Sequence, residues 1–357
     1  LEHVVVYREP GRFAGWPANY GIWLWGDEIV LGFTLGYIGN DNSMHLRDKA
    51  RPFLPMQARS QDGGYTWKVS PAPCRTPGGR GLSADEHVIP ELQVAPWLDG
   101  PEGPVPPPGG FDFTHPDFAL MCTRSGLEAG ARSWFYVSFD RCRSWQGPFW
   151  LPDFGAPGVA ARTDYVVLNA GEALLFLTVA KSDGHEGRPL CARMSEGGRR
   201  IEFLSWIGPE PVGYAIMPST VRLADGTLLS AVRRSEPEGS WIDLYRSLDG
   251  GLSWEYAGRP VRETGRGGNP PALTLLSDGR LCITYGYRNE PYGIRAVLSE
   301  DEGRSWSSPI VLRADGGNRD LGYPRTVERP DGKLVTCYYF NDHAEGERYI
   351  GATIWQP

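Results

Sequence analysis

The sequence predicts an all-β chain folded as a six-bladed β-propeller, and three observations carry that reading. An eight-residue pattern, Ser-x-Asp-x-Gly-x-x-Trp, begins at Ser60, Ser247 and Ser299, and a fourth copy at Ser138 has Cys142 where the glycine belongs. A proline that opens an apolar run ending in Asp-Gly recurs at Pro218, Pro271 and Pro324, 53 residues apart (218 to 271, 271 to 324), and Ser247 and Ser299 lie 52 apart (247 to 299). Glycine (46), proline (31) and tryptophan (13) are spread from end to end, as many short strands and tight turns require. Two independent markers with one period near 50 residues describe a four-stranded meander repeated around an axis.

Each element of the repeat has a mechanical reason. In the eight-residue pattern the aspartate folds its carboxylate onto nearby backbone N–H groups, the glycine takes a positive φ, and the tryptophan plugs an apolar gap, so the pattern is a hairpin staple. Read with one template, the chain is a single propeller with units near 17–67, 116–145, 164–206, 217–254, 269–306 and 323–355. The third unit keeps only a staple remnant at Ser195-Glu-Gly-Gly198, and the sixth has none. Val4–Tyr7 is an orphan strand at the other terminus; pairing it with the strand-like run ending at Trp355 would close the ring and remove an exposed edge. The stretch 74–110, with Pro104-Val-Pro-Pro-Pro-Gly-Gly110, is too long for a blade connection and is expected to be an excursion over one face, either a lid or a surface loop.

Bulk properties narrow the function. A net charge of -7 argues against nucleic acid, whose binders present a basic face. No apolar run of about 18 residues is present, so no membrane span is expected. No basic-then-apolar leader follows Leu1, and neither compartment nor oligomeric state is legible. The six cysteines show no C-x-x-C pair; Cys122, Cys282 and Cys337 lie in apolar runs and read as buried thiols. No metal or cofactor is implied.

In a propeller the first strands and the loops between second and third strands line one mouth. The first strands supply Asn19, His115 with Asp117, Asp164, Met217, Asn269, and Tyr323 with Arg325; the loops supply Asp41, His45, Arg124, Lys181, His185, Arg233, Arg234, Glu236, Arg288, Glu290, Asn341, Asp342 and His343. Convergence of so many titratable groups marks this mouth as the candidate site.

Staples of this form on a six-unit β chain resemble the sialidase (neuraminidase) superfamily, whose repeats are called Asp boxes or BNR repeats, and the resemblance covers essentially the whole chain. It implies a tyrosine nucleophile activated by a glutamate, an aspartate acid/base and three arginines that hold a substrate carboxylate. Tyr323, in Gly-Tyr-Pro-Arg, stands where the nucleophile belongs; Arg295 matches the third arginine; Asp41 is similar in place to the acid/base. The chain departs from the pattern at three positions. Gly15-Trp16 precede Pro17 where Arg-Ile-Pro is expected, Met217 occupies the region of the glutamate, and Ile242-Asp243 that of the second arginine. Arg288, Arg325, Arg233, His115 and Asp117 are the further candidates for substrate binding, and Glu290 for the supporting carboxylate.

The function this implies is an exo-glycosidase of the sialidase superfamily that removes a terminal acidic or polar sugar, sialic acid among the candidates, from a carbohydrate or glycoconjugate. Two alternatives stay open: a lyase acting on a uronate with His115 or His343 as base, and a non-catalytic carbohydrate-binding propeller.

Overall fold

A computed structural model describes residues 1–39, 43–77, 101 and 103–357. Strand β1 (Glu2–Tyr7) belongs to the last blade. Blade I holds β2 (Arg12–Gly15), β3 (Ile22–Trp25), β4 (Glu28–Tyr37), β5 (Leu54–Ser60) and β6 (Lys68–Pro71); a single helical turn, Pro17–Tyr20, divides β2 from β3, and both pair with β4. Blade II is β7 (Ala119–Arg124), β8 (Ser133–Ser138) and β9 (Gln146–Trp150). Blade III runs β10 (Tyr165–Asn169), β11 (Glu172–Ala180), β12 (Glu186–Ser195), β13 (Arg200–Trp206), and blade IV β14 (Tyr214–Arg222), β15 (Leu228–Glu236), β16 (Gly239–Ser247), β17 (Glu255–Val261). Blade V is β18 (Ala272–Leu275), β19 (Leu281–Tyr287), β20 (Gly293–Ser299) and β21 (Ile310–Arg313); blade VI is β22 (Gly322–Glu328), β23 (Leu334–Phe340) and β24 (Tyr349–Trp355).

This is the expected six-bladed, all-β propeller. It closes as expected: β1 pairs antiparallel with β24, Val4 opposite Ala352, so the chain's first strand completes its last sheet. No helix among the described residues is long and apolar enough to cross a membrane.

Packing follows from strand alternation. Each blade is apolar on both faces and meets its neighbours through one cluster: Phe33 and Ile29 against Val335 and Ile350 between I and VI, Trp23 against Trp134 and Trp145 between I and II, and Phe135 against Leu175 and Leu190 between II and III. Leu174 and Cys191 meet Leu228 and Val232, Leu244 meets Leu281 and Ile283, and Ile294 meets Leu334 and Tyr338 at the remaining contacts. All six cysteines are free and five are buried in these layers.

The staples have the anticipated geometry. Ser247 Oγ donates to Asp249 Oδ1 (2.8 Å) and accepts from Gly251 N (2.9 Å), while Asp249 also accepts from the Ser253 N–H and hydroxyl. The Ser253 hydroxyl, then its N–H, hold the Asp249 carboxyl down to about 2. Cys142 makes the same turn at φ +60, its N–H on Ser138 Oγ. Because second and third strands are antiparallel neighbours, every staple sits at one end of its blade and every second-to-third loop at the other, which defines a staple face and a mouth.

Blade II departs from the template. Its sheet has three strands, and β7 is the second, so the innermost strand expected from Pro116 is absent among the described residues. The inner edge of β7 instead meets the start of blade III, Cys122 N on Thr163 Oγ1 (3.0 Å) and Arg124 Nη1 on Ala161 O (3.3 Å). Of the 74–110 excursion, 78–100 and 102 lie outside the described residues. The part after 103 follows the outer edge of β9 at Val105 and then the staple end of blade III, with Gly110 N on Glu196 O (3.0 Å) and Phe111 N on Gly197 O (3.1 Å).

The staple geometry makes two adjacent glycines unequal. Gly250 (φ +73) has open space around an added Cβ, whereas a Cβ on Gly251 (φ +91) would lie 2.9 Å from Cys191 Sγ. Gly250→Ala should cost about 1–2 kcal/mol from backbone conformation alone, and Gly251→Ala distinctly more. Urea denaturation of the two variants checks the order.

Candidate functional site

Three innermost strands reach the mouth through the same local device. Trp16, Met217 and Tyr323 each precede a proline, and each adopts a left-handed backbone conformation (φ +58, +54 and +49). Non-glycine residues in this region cost roughly 1–3 kcal/mol unless their surroundings impose it. Asn269, fully buried on the way into β18, imposes it at Tyr323: its Oδ1 accepts from Tyr323 N (2.9 Å) and Gly286 N (3.1 Å), and its Nδ2 donates to Leu321 O (3.0 Å).

The Tyr323 ring borders a pocket of about 180 Å³ lined also by Trp16, Asn19, Met44, His45, Arg124, Arg162, Glu186, Tyr214 and Arg233. Arg233, at the mouth end of β15 and 5% exposed, donates from Nη1 to the Tyr323 hydroxyl (3.1 Å), and from Nη2 to Tyr214 Oη (3.1 Å) and to Gly267 O. Met217 Sδ lies 3.8 Å from the same Nη1. Arg288 follows β19 and sits 5.5 Å from the centre of the Tyr323 ring; its guanidinium donates to the Gly268 and Leu321 carbonyls and to Tyr339 Oη. Arg162 pairs with Glu186 across the pocket. Burial alone would raise the Tyr323 phenol, but Arg233, then Arg288 and Arg162, outweigh it and lower its pKa below the ordinary tyrosine value.

Opposite Arg233, His45 Nδ1 lies 2.7 Å from Asp320 Oδ1, and Asp320 also binds Leu46 N, Tyr339 Oη and Arg348 Nε. Asp164, outside the pocket lining, is buried, and only Oδ1 is used, by Thr220 N (3.2 Å). Burial pushes its carboxyl up to about 7 against the opposing pull of Arg325 and then Thr220. No group of three or more His, Cys, Asp or Glu among the described residues is arranged to hold a metal ion.

Neither protein-family models nor curated protein sequences match the chain. Solved structures do. A protein of unknown function from Dyadobacter fermentans is 21% identical with a TM-score of 0.72, covering 100% of this chain and 98% of that one. The NanB sialidase of Streptococcus pneumoniae is 12% identical with a TM-score of 0.62, covering 99% of this chain and 70% of that one. The fold is that of a sialidase-like propeller. An alpha-L-arabinanase from Penicillium chrysogenum is similar at a TM-score of 0.60 and 11% identity, over 99% and 98% of the two chains, so the same architecture carries proteins with different names.

Within this sialidase-like propeller the anticipated residues divide. Tyr323, Arg233 and Arg288 come together. Asp41 lies outside the described residues. Glu290 is exposed on the loop after β19 and does not line the pocket. Arg295, expected as an anion holder, is on the third strand of blade V, away from the axis; it stacks over Tyr287 (3.3 Å) in a separate groove of about 460 Å³ beside Arg259, Glu263 and Trp306. Arg325 is on an innermost strand but deeper than the pocket, with Nη2 on the Ala18 (2.7 Å) and Thr163 (2.6 Å) carbonyls. His115 and Asp117 belong to the staple face: the His115 ring packs edge-on to Phe139, and Asp117 pairs with Arg141 of the blade II staple at 2.6 Å. That blade II has no inner strand among the described residues is the physical reason for that misplacement.

Arg162, Glu186, Trp16 and Tyr214 were not singled out as site residues. Trp16 had a visible signal, since it precedes a strand-opening proline as Tyr323 does. Arg162 and Glu186 had none; Arg162 precedes the unit boundary drawn at Asp164, and Glu186 adjoins His185, which is exposed and paired with Glu128.

Two titrations test these electrostatics. Ultraviolet difference titration, with Tyr323→Phe as the blank, should show one phenol ionising below about 10. In Arg233→Gln that phenol should move upward, because burial is then less opposed. Asp164, raised in the folded state, binds more protons folded than unfolded between about pH 4 and 7, so its contribution to stability falls as pH rises through that window. Asp164→Asn should therefore gain stability relative to the parent at pH 8 and not at pH 4, as read by urea denaturation.

Proposed function

We propose that this protein is an exo-acting glycoside hydrolase on a terminal sugar bearing an anionic group, with Tyr323 as its nucleophile. The observation that carries the reading is the hydrogen bond from buried Arg233 to a phenol whose ionisation the surrounding cations favour. A phenolate is a competent nucleophile, and the neutral phenol from which it forms does not repel a substrate anion as a carboxylate would.

The resemblance puts a glutamate beside the tyrosine to remove its proton, and here Met217 is the neighbour. In the proposed reaction the cations do that work electrostatically: Arg233 stabilises the phenolate directly, and Arg288 and Arg162 act through space. Arg233 presents its edge to the pocket beside Tyr214 and is the leading anion holder; Arg162 shares its charge with Glu186. A volume of about 180 Å³ is below the roughly 300–1,000 Å³ of clefts that take drug-sized ligands, which suits one sugar ring at a chain end. Sialic acid fits this class, and uronic acids do as well. The resemblance implies Asp41 as the proton donor; it lies outside the described residues and is the alternative to the donor argued below.

The test is turnover of fluorogenic sialosides, uronides and neutral glycosides, with Tyr323→Phe beside the parent. Acidic glycosides should be cleaved, and the variant should lose at least about 100-fold in kcat/KM. Arg233→Gln should lose activity on acidic substrates and move their pH profile upward with the phenol. An unsaturated, ultraviolet-absorbing product would mean a lyase instead, and sugar binding without any turnover would mean a binding propeller.

A further inference from the structure

The pocket contains an imidazole to which none of these roles is given. His45 stands on the loop from β4 to β5, with its ring edge-on to Trp16 (centroids 5.1 Å apart) and to Tyr323 (6.5 Å, interplanar angle 77°). Its Nδ1 is held by Asp320, which is 1% exposed. That carboxylate takes three further donors, from Leu46 N (2.9 Å), Tyr339 Oη (2.9 Å) and Arg348 Nε (2.7 Å). Burial opposes its ionisation, but His45, then Arg348 and the Leu46 N–H, keep the carboxyl far below the usual range. An acceptor that remains ionised fixes the proton on Nδ1, so Nε2 is the nitrogen that gains and loses the second proton. A buried carboxylate that orients an imidazole in the same pocket as a nucleophile is the geometry of a proton-transfer pair.

We infer that His45, oriented by Asp320, is the proton-transfer residue of the Tyr323 pocket. The inference rests on the glycosidase reading. In the first step Tyr323 in its phenolate form, the phenol proton having passed to solvent, bonds through Oη to the anomeric carbon, the glycosidic C–O bond breaks, its electron pair stays on the departing oxygen, and protonated His45 gives that oxygen a proton from Nε2. In the second step water attacks the anomeric carbon and gives its proton to neutral Nε2, while the bond to Tyr323 breaks and restores the phenolate. Several groups set the charge on His45. Asp320 at the entry to β22 favours the imidazolium and accepts from Tyr339 of β23. Arg348 before β24 binds the same carboxylate, Arg288 after β19 donates to Tyr339, Arg47 on the same loop packs over Trp16, and the Tyr323 ring faces the imidazole.

The experiment compares leaving groups. On the acidic glycoside that the panel identifies, His45→Gln should lose about 100-fold or more in kcat/KM with an alkyl leaving group, and less than about tenfold with dinitrophenol, which departs without a proton. Azide should accelerate the variant on the dinitrophenyl glycoside by attacking the glycosyl-tyrosine. Equal losses with both leaving groups would make His45 a loop clamp and overturn the inference, as would finding the leaving-group dependence in Asp41→Asn instead. A wild-type measurement covers variants that fail to fold: the imidazole ¹⁵N shifts of neutral His45 should report Nδ1–H, and an Nε2–H tautomer would overturn the inference. Failure of the glycosidase reading is recognised separately. A Tyr323→Phe variant that still turns over, or a parent silent on the whole panel, removes that reading and the inference with it.

Discussion

The site depends on the backbone of one residue. Tyr323 is left-handed, precedes a proline and is buried, three conditions that a chain adopts together only under external constraint. Asn269 supplies it, joining the entries to blades V and VI and the end of β19 with one side chain. An extended Tyr323 would present its ring to the blade faces. The left-handed turn aims it at Arg233, which arrives from blade IV. Three blades thus fix a single phenol–guanidinium contact, and propeller closure by β1 holds those blades in register.

Charge is distributed around that contact by depth. At the pocket level Arg233 and Arg288 satisfy much of their hydrogen-bonding capacity on carbonyls and tyrosine hydroxyls, which neutralise nothing, so their positive charge remains available to the phenol. Arg162 differs, since Glu186 answers it directly. Asp164 is buried and Arg325 half-buried, and each has a buried side-chain atom without a hydrogen-bond partner among the described residues, Oδ2 and Nε. The desolvation cost of such groups is large. Arg325 offsets part of it by linking Ala18 of blade I to Thr163 of blade III across the gap where blade II lacks an inner strand. Its role here is that bridge, which explains why an arginine next to the candidate nucleophile in sequence does not line the pocket.

The fold was legible because its markers are local. A staple needs only eight residues, and the bonds that shape its turn, among Ser247, Asp249, Gly251 and Ser253, close within the motif, so the turn is announced without reference to the rest of the chain. The mouth was legible as a face for a related reason: strand alternation and antiparallel pairing decide which loops share an end, and Arg233 and Arg288 were found that way. Single side chains were harder. Arg295 and Arg288 are both basic residues of blade V flanking one hairpin, and only the distance of each strand from the axis separates a stacking partner of Tyr287 from a neighbour of Tyr323. His115 and Asp117 were misplaced because the template supplied an inner strand that blade II replaces with the start of blade III. Cooperation between distant segments, Asp320 with His45 or Asn269 with Tyr323, has no sequence signature, since neither partner's spacing reflects the other.

The departures from the sialidase pattern form a coherent set. Trp16 and Met217 occupy two left-handed pre-proline positions; the resemblance places an arginine one residue before Trp16, where Gly15 stands, and a glutamate near Met217. The exchange makes the floor of the mouth more apolar, and apolar surroundings strengthen each remaining electrostatic contact. In the proposed reaction the phenol beside Arg233 ionises without a carboxylate base, and proton transfer at the leaving group is a separate function, given to His45 beside Asp320. A glutamate restored at position 217 would sit against Arg233 through the Met217 contact and compete with Tyr323 for it. The apolar residue and the direct guanidinium–phenol bond are therefore two parts of one arrangement, and neither is expected to tolerate reversal alone.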